Sequence, residues 1–393
     1  MINIGEMMKD IFRKMDKPLF FLMLLFCTFG LIMVFSSSSV SAILRYKTTS
    51  MHFFTNQLIF IVLSFIAGFI ALRIPTSKYN HLSWLLMFGI DIALFLLLVY
   101  GSITNHVQSW FYIAGFSIQP SEFAKSFIII FLACFYNRLF KKKNYNVYSI
   151  LFPLLFAIIA FFLTALQPDF GSAAIIAGIT FFIFISLPIE KSNIMKLIKI
   201  SSCLLIALLV VVVYNKDKLF NSDQLERLNF KEPCTRYMEQ TGYQVCNGFI
   251  AINNGGLLGV GLGNSTQKYL YLPESHTDFI FAIIVEELGV VTGIIVVLMY
   301  VLLLLRILYI AKRASNLRNS IIAYGTMWYI LLHVIINLCG VLGVFPLTGV
   351  PLPLLSYGGS HTINVLVMLF LVLRVSVENK TAIYKEEMKK LSK

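Results

Sequence analysis

Apolar runs of 17 or more residues recur down the whole of this sequence, and nothing else about it restricts the fold so strongly. Each run is long enough to cross a hydrocarbon core of ~30 Å at 1.5 Å per helical residue. Inside lipid every backbone N–H and C=O must find a partner in the chain, which leaves helices or a closed barrel. Barrel strands alternate apolar and polar residues, whereas a run such as Leu204–Val213 is apolar at every position. The sequence therefore predicts an all-α polytopic membrane protein. Composition agrees, with 58% hydrophobic residues, 13% charged and 35 Phe, against roughly 25% charged in a soluble domain.

Ten spans are expected, at about residues 18–36, 54–72, 83–100, 121–137, 148–166, 170–187, 197–214, 279–305, 320–343 and 361–377. Together they form a single transmembrane domain over residues 1–393. The first run, from Pro18, ends in four serines rather than a cleavage site and is read as a retained span. With the N-terminus inside, 23 of the 32 Lys and Arg residues fall on the cytoplasmic side, which is the positive-inside bias. The net charge of +13 is thus assigned to topology, not nucleic-acid binding. Both termini are expected in the cytoplasm, the chain being multi-pass in the membrane.

On this topology the largest connection, residues 215–277, faces outward between the seventh and eighth spans, and it is too small for an independent domain. Two further outer segments, Gly101–Pro120 and Val344–Ser360, are rich in Gly, Pro, Ser and aromatics, so a site is expected where these three loops meet. Cys234 and Cys246 share the large loop and can form a disulfide there, free thiols being the alternative. No cysteine or histidine spacing marks a structural zinc.

Ionisable side chains within spans are costly and so draw attention: Asp91, Glu122, Lys125, Asp169, Asp278, Glu286 and Glu287. Glu122 and Lys125, three apart, share a helix face. They make either a local ion pair or a cation offered to a phosphate-bearing ligand. Asp169, in Gln167-Pro168-Asp169-Phe170-Gly171, suits a turn. Glu286, Glu287 and Asp91 lie deeper and read as structural. Asp278 begins the eighth span beside Glu274, His276 and Thr277, as a helix cap or as a base at the water boundary. The base is the favoured reading. The glycines from Gly255 to Gly263 allow close backbone approach to a ligand but match no nucleotide fingerprint, and no nucleotide cofactor is expected.

Four stretches resemble one family, in order and in spacing. They are Gly115-Phe116-Ser117-Ile118-Gln119-Pro120-Ser121-Glu122, Gln167-Pro168-Asp169, Leu272-Pro273-Glu274 with His276-Thr277-Asp278-Phe279-Ile280, and Pro353 with Ser356-Tyr357-Gly358-Gly359-Ser360. The family is SEDS (shape, elongation, division and sporulation), and the likeness spans nearly the whole chain. Gly261 to Lys268 and Tyr271 to Glu274 resemble its cell-division members more than its elongation members.

The resemblance implies a peptidoglycan glycosyltransferase. It would polymerise lipid II on the outer face, release undecaprenyl diphosphate, and work with a class B penicillin-binding transpeptidase in the division or elongation machinery. Asp278 matches the essential aspartate, Glu122 and Lys125 the charged pair beside the cavity, and Trp110 an aromatic before the fourth span. Glu274 and Ser356 fall within the motifs and are expected at the substrate. The departing diphosphate needs positive charge from Lys125, Arg227 or a divalent cation, magnesium or manganese.

The chain departs from the family at His106, at His333 where a Gln is usual, and at His361 where a second serine is usual. His106 and His333 are accordingly left outside the expected site, and no role is assigned to His361. Two rivals are a lipid II flippase, which would use the same polar cavity without chemistry, and a scaffold that only positions a transpeptidase.

Overall fold

A computed structural model describes residues 4–100, 102–104, 107–113, 116–142, 145–189, 195 and 231–392. The expected span at 197–214 and Arg227 lie outside these residues. Within them, eight helices are long and apolar enough to cross a membrane, and the shorter apolar Phe170–Ile185 accompanies them.

The chain opens with α1 (Ile4–Lys14), a short helix before the first span. Its Ile11 is buried while Lys9 and Arg13 face out, the pattern of a helix lying along the membrane surface. The first four spans are α2 (Lys17–Leu44), α3 (His52–Arg73), α4 (Tyr79–Tyr100) and α5 (Pro120–Lys141). After them come α6 (Val147–Leu166), α7 (Phe170–Ile185), the outer-loop helix α8 (Gln240–Gly255), and the last three spans α9 (Ile280–Lys312), α10 (Leu317–Val341) and α11 (Gly359–Leu391).

Asp16 caps α2 by accepting from the Leu19 amide, and Pro18 sits in the first turn, where a missing N–H costs nothing. The helix then continues eight residues past the expected end, carrying the serines inside it. Ser37 and Ser41 return their hydroxyls to carbonyls one turn back, so they need no loop.

Three outer segments differ from plain loops. Residues 102–118 carry a small antiparallel sheet, β1 (Ser102–Thr104), β2 (Val107–Ile113) and β3 (Phe116–Ile118), in the order β1-β2-β3. The aromatic run Trp110-Phe111-Tyr112 suits a pleated surface, and among the described residues this sheet is the exception to an all-helical fold. In the large loop, α8 is pinned at its start by a Cys234–Cys246 disulfide with Cα atoms 4.9 Å apart.

The third difference is in α9, which is broken at Gly289 (φ 84, ψ 166). The break frees backbone groups that the glycine-rich loop satisfies: Val290 donates to Gly256 at 3.0 Å, and Val260 and Gly261 donate to Glu286 and Glu287 at 3.0 and 2.9 Å. A Cβ on Gly259 would collide with the Glu287 carbonyl. These glycines therefore approach the chain's own broken helix, not a ligand as the spacing suggested.

The most buried spans are α11 and α5. At the end of the bundle shared by both termini, Asp16 takes two hydrogen bonds from Arg306 at 2.8 and 2.7 Å, Arg374 pairs with Glu378, and Lys380 reaches the Met15 carbonyl. The expected site residues that are described gather at the opposite end.

Candidate active site

A buried polar group is built on α5, α10 and α11. Pro120 and Ser121 open α5, and one turn brings Glu122 and Lys125 to the same inward face, 2% and 0% exposed. Lys125 Nζ donates to Glu122 Oε1 at 2.7 Å and lies 3.2 Å from His333 Nε2. On the other carboxylate oxygen, His361 Nδ1 sits at 3.0 Å. Asn364 donates to the Glu122 carbonyl at 2.6 Å and to the Tyr329 hydroxyl at 3.1 Å.

The histidine protonation follows from the partners. His333 Nδ1 is 3.3 Å from the Pro351 carbonyl, which can only accept, so Nδ1 carries the proton and Nε2 accepts from Lys125. Likewise His361 Nδ1 donates to the Glu122 carboxylate. Its Nε2 is buried with no partner among the described residues.

Both histidines set aside as departures thus stand inside the charged pair. A sequence signal existed, since each is a titratable side chain in an apolar span. The ammonium of Lys125 is fully enclosed by these partners, so in this arrangement it is a fixed counter-charge and not a cation open to a ligand.

Glu122, His333 and His361 bring one ligand atom each within 4.8 Å of one another. Magnesium and manganese favour oxygen ligands, and magnesium demands a near-octahedral shell. Two imidazoles, one carboxylate and an ammonium already standing between Glu122 and His333 do not fit such an ion.

Asp169 caps α7 by accepting from the Ser172 amide and also accepts from Gln119 and Ser121, so the turn residue joins two of the motifs. Asp278 lies half-buried just before α9, whose cap position is Phe279. Its Oδ2 faces Gly349, where an added Cβ would stand 3.4 Å away. Asn337, one turn beyond His333 on α10, donates to the carbonyls of Asp278 and Val350, both at 2.8 Å. One face of α10 therefore carries the 350–351 backbone, touching the Glu122 cluster through His333 and Asp278 through Asn337.

Ser356 is fully buried; it donates to the Thr277 carbonyl at 2.7 Å and accepts from the Leu352 amide at 2.8 Å. Its hydroxyl holds two loops together. Trp110 stands on β2 opposite Ser102. Glu274 has a left-handed backbone (φ 56) and lies 3.8 Å from Arg45.

Glu286 turns toward the outer loop, and Glu287 joins that loop to α2. Glu287 pairs with Lys268 at 2.8 Å and accepts from Ser36 at 2.6 Å, while Glu286 accepts from Ser265, Thr266 and Asn254. Asp91 stands apart, with Oδ1 buried and unpartnered among the described residues.

Comparison with known proteins gives concordant results. FtsW of Bacillus subtilis (strain 168), named a probable peptidoglycan glycosyltransferase, is 35% identical over 387 residues, 98% of this chain and 95% of the relative. Stage V sporulation protein E of the same organism is 35% identical over 367 residues, 92% and 96% of the two chains. A chain from a solved peptidoglycan synthase complex has the same fold at a TM-score of 0.72 and 24% identity, covering 93% of this chain and 98% of its own. Thermus thermophilus RodA does so at 0.64 and 24%, covering 92% and 96%. The FtsW, RodA and SpoVE family model, described as a cell cycle protein, matches residues 16–381. With its motifs, its helical bundle and this match in agreement, the chain is a multi-pass membrane protein that belongs to the FtsW/RodA/SpoVE cell cycle protein family, the SEDS family its sequence resembles.

Proposed function

We propose that this protein is a peptidoglycan glycosyltransferase that polymerises lipid II outside the cytoplasmic membrane, in septal synthesis during cell division. One observation carries the reading: the half-buried Asp278 carboxylate lies at the mouth of the bundle beside the Gly349 backbone, on a peptide whose carbonyl Asn337 fixes. A carboxylate so placed can act as general base while remaining within reach of solvent.

A sugar hydroxyl loses its proton to Asp278 as its oxygen bonds to the anomeric carbon of a second lipid-linked sugar. The bond from that carbon to the diphosphate oxygen breaks, and undecaprenyl diphosphate leaves with the electron pair. Because Lys125 is already matched by Glu122 and His333, the growing negative charge is assigned to Arg227, and a magnesium or manganese ion on the diphosphate oxygens would supply further positive charge there. Relatives named FtsW support the division role over the elongation one, and a class B penicillin-binding transpeptidase is the proposed partner.

The test uses purified protein, alone and with such a transpeptidase, given lipid II and magnesium with and without chelator, and resolves glycan chains on a gel. Polymer is expected from wild type and is expected to fall at least 100-fold in Asp278→Asn, which keeps the shape and removes the base. Equal polymer from the folded variant sinks the assignment of the base. Lipid II crossing vesicle membranes with no polymer from any combination would replace the enzyme by a flippase.

A further inference from the structure

A cavity of about 370 Å³ opens on the outer side between the end of α2 and the loop before α9, and Asp278 does not line it. Its wall carries Ser41, Arg45, Gln244, Lys268, Glu274 and His276. The volume is that of a small-ligand site. Every charge in the wall is answered: Lys268 by Glu287 at 2.8 Å, and Arg45 by Glu274 at 3.8 Å. An anion or a cation would have to compete with those partners, so the cavity suits a polar ligand without net charge.

Hydrogen-bonding capacity nevertheless remains unspent. Among the described residues the Gln244 amide makes no hydrogen bond, and Arg45 meets only Glu274, beyond hydrogen-bond distance, and the Tyr46 ring. His276 is 3% exposed, packs against Phe53 with centroids 4.4 Å apart, and keeps a buried Nδ1 with no partner. Two wall residues, Leu270 (φ 71) and Glu274 (φ 56), hold left-handed backbone that costs a side-chain-bearing residue roughly 1 kcal/mol or more.

Arginine, glutamine, glutamate and histidine present planar groups, and as a set they both donate and accept. Neighbouring hydroxyls and acetamides on a sugar ring need that combination, since each hydroxyl is donor and acceptor at once.

We infer that this cavity is a sugar-binding subsite that holds an uncharged face of the glycan chain, away from the bond being formed at Asp278. The assignment rests on the polymerase reading. Holding the chain there keeps the product on the enzyme between additions, so the subsite governs chain length more than the rate of a single transfer.

The test measures binding of a fluorescent tetrasaccharide of N-acetylglucosamine, which carries acetamides and hydroxyls and no net charge, to the full-length protein in detergent, by anisotropy. Arg45→Met and Gln244→Leu are each expected to weaken binding roughly tenfold and to shorten the glycan made from lipid II, while Asp278→Asn binds as wild type does. Gln244, on the half-exposed face of α8, keeps the test decisive if the Arg45 variant melts early. Failure of wild type to bind the tetrasaccharide, or unchanged binding in both variants, overturns the subsite. Binding by a wild-type protein that makes no polymer overturns the polymerase reading and leaves the sugar site standing.

Discussion

An ammonium with no water around it must be matched atom by atom, and Lys125 is matched by Glu122 and by the lone pair of His333. Removing one side of a buried pair leaves the other as an uncompensated charge, which costs ~3–5 kcal/mol. Lys125→Met is therefore expected to lower the melting temperature sharply in detergent, and adding Glu122→Gln to recover a good part of the loss. A double variant no more stable than Lys125→Met alone would mean that the pair does not act as a unit. His276 gives a second handle, because burial pushes its imidazole down to about 4 from 6.5. The unfolded chain then binds the extra proton between those values, so stability is full above about pH 6.5 and is lost as pH falls toward 4. The loss is on the order of 3 kcal/mol. His276→Gln should flatten that part of a melting-temperature profile; an unchanged slope would assign it to other groups. At this scale the sequence was readable for Glu122, Lys125 and Asp278, whose cost in an apolar span is a property of the residue itself. It was not readable for His333 and His361, because a departure from a family pattern says nothing about which partners the fold supplies.

Helix boundaries were legible where apolar length marks them, as for the spans expected at 54–72 and 148–166, which correspond to His52–Arg73 and Val147–Leu166, the second also capped by Asn146. The break in α9 was not. Glycine is common in membrane helices, and no proline or second glycine stands beside Gly289 to mark an interruption. What makes it a break is a loop some 30 residues earlier that hydrogen-bonds the opened backbone. At φ 84, ψ 166 the position is open essentially to glycine alone, and a Cβ would strike the Leu257 carbonyl. Gly289→Ala is expected to destabilise by ~3 kcal/mol or more, strain and collision together. Gly256→Ala also meets a backbone that suits glycine (φ 53, ψ −148), but with open space around the added carbon it lacks the collision and should lose less, ~1–3 kcal/mol. Comparable melting temperatures for the two variants would show that the break relaxes without the loop.

Across the whole molecule, the group around Asp278 joins positions far apart in sequence, and only the folded bundle states which of them meet. Composition and run length could place the outer loops on one side; they could not show that α10 carries two of them on successive turns. His333 meets the Pro351 carbonyl, and Asn337 meets those of Val350 and Asp278. Asn337 is thus a positioning residue: its amide sets the distance between the Asp278 peptide and the Val350 backbone without a place of its own in proton transfer. Asn337→Ala leaves two carbonyls without that donor and loosens the carboxylate's aim by an amount that small displacements make costly, since roughly 1 Å of misplacement can lower a rate about 100-fold. The expected result is a fall of tenfold or more in kcat for glycan synthesis, with KM for lipid II little changed, because the groups that would hold the lipid-linked sugars stay where they are. Asn337→Gln, which keeps the amide on a longer arm, should recover part of the rate. A rise in KM with kcat intact would instead place Asn337 in contact with substrate, and unchanged kinetics in the alanine variant would mean that the loops hold Asp278 without help from α10.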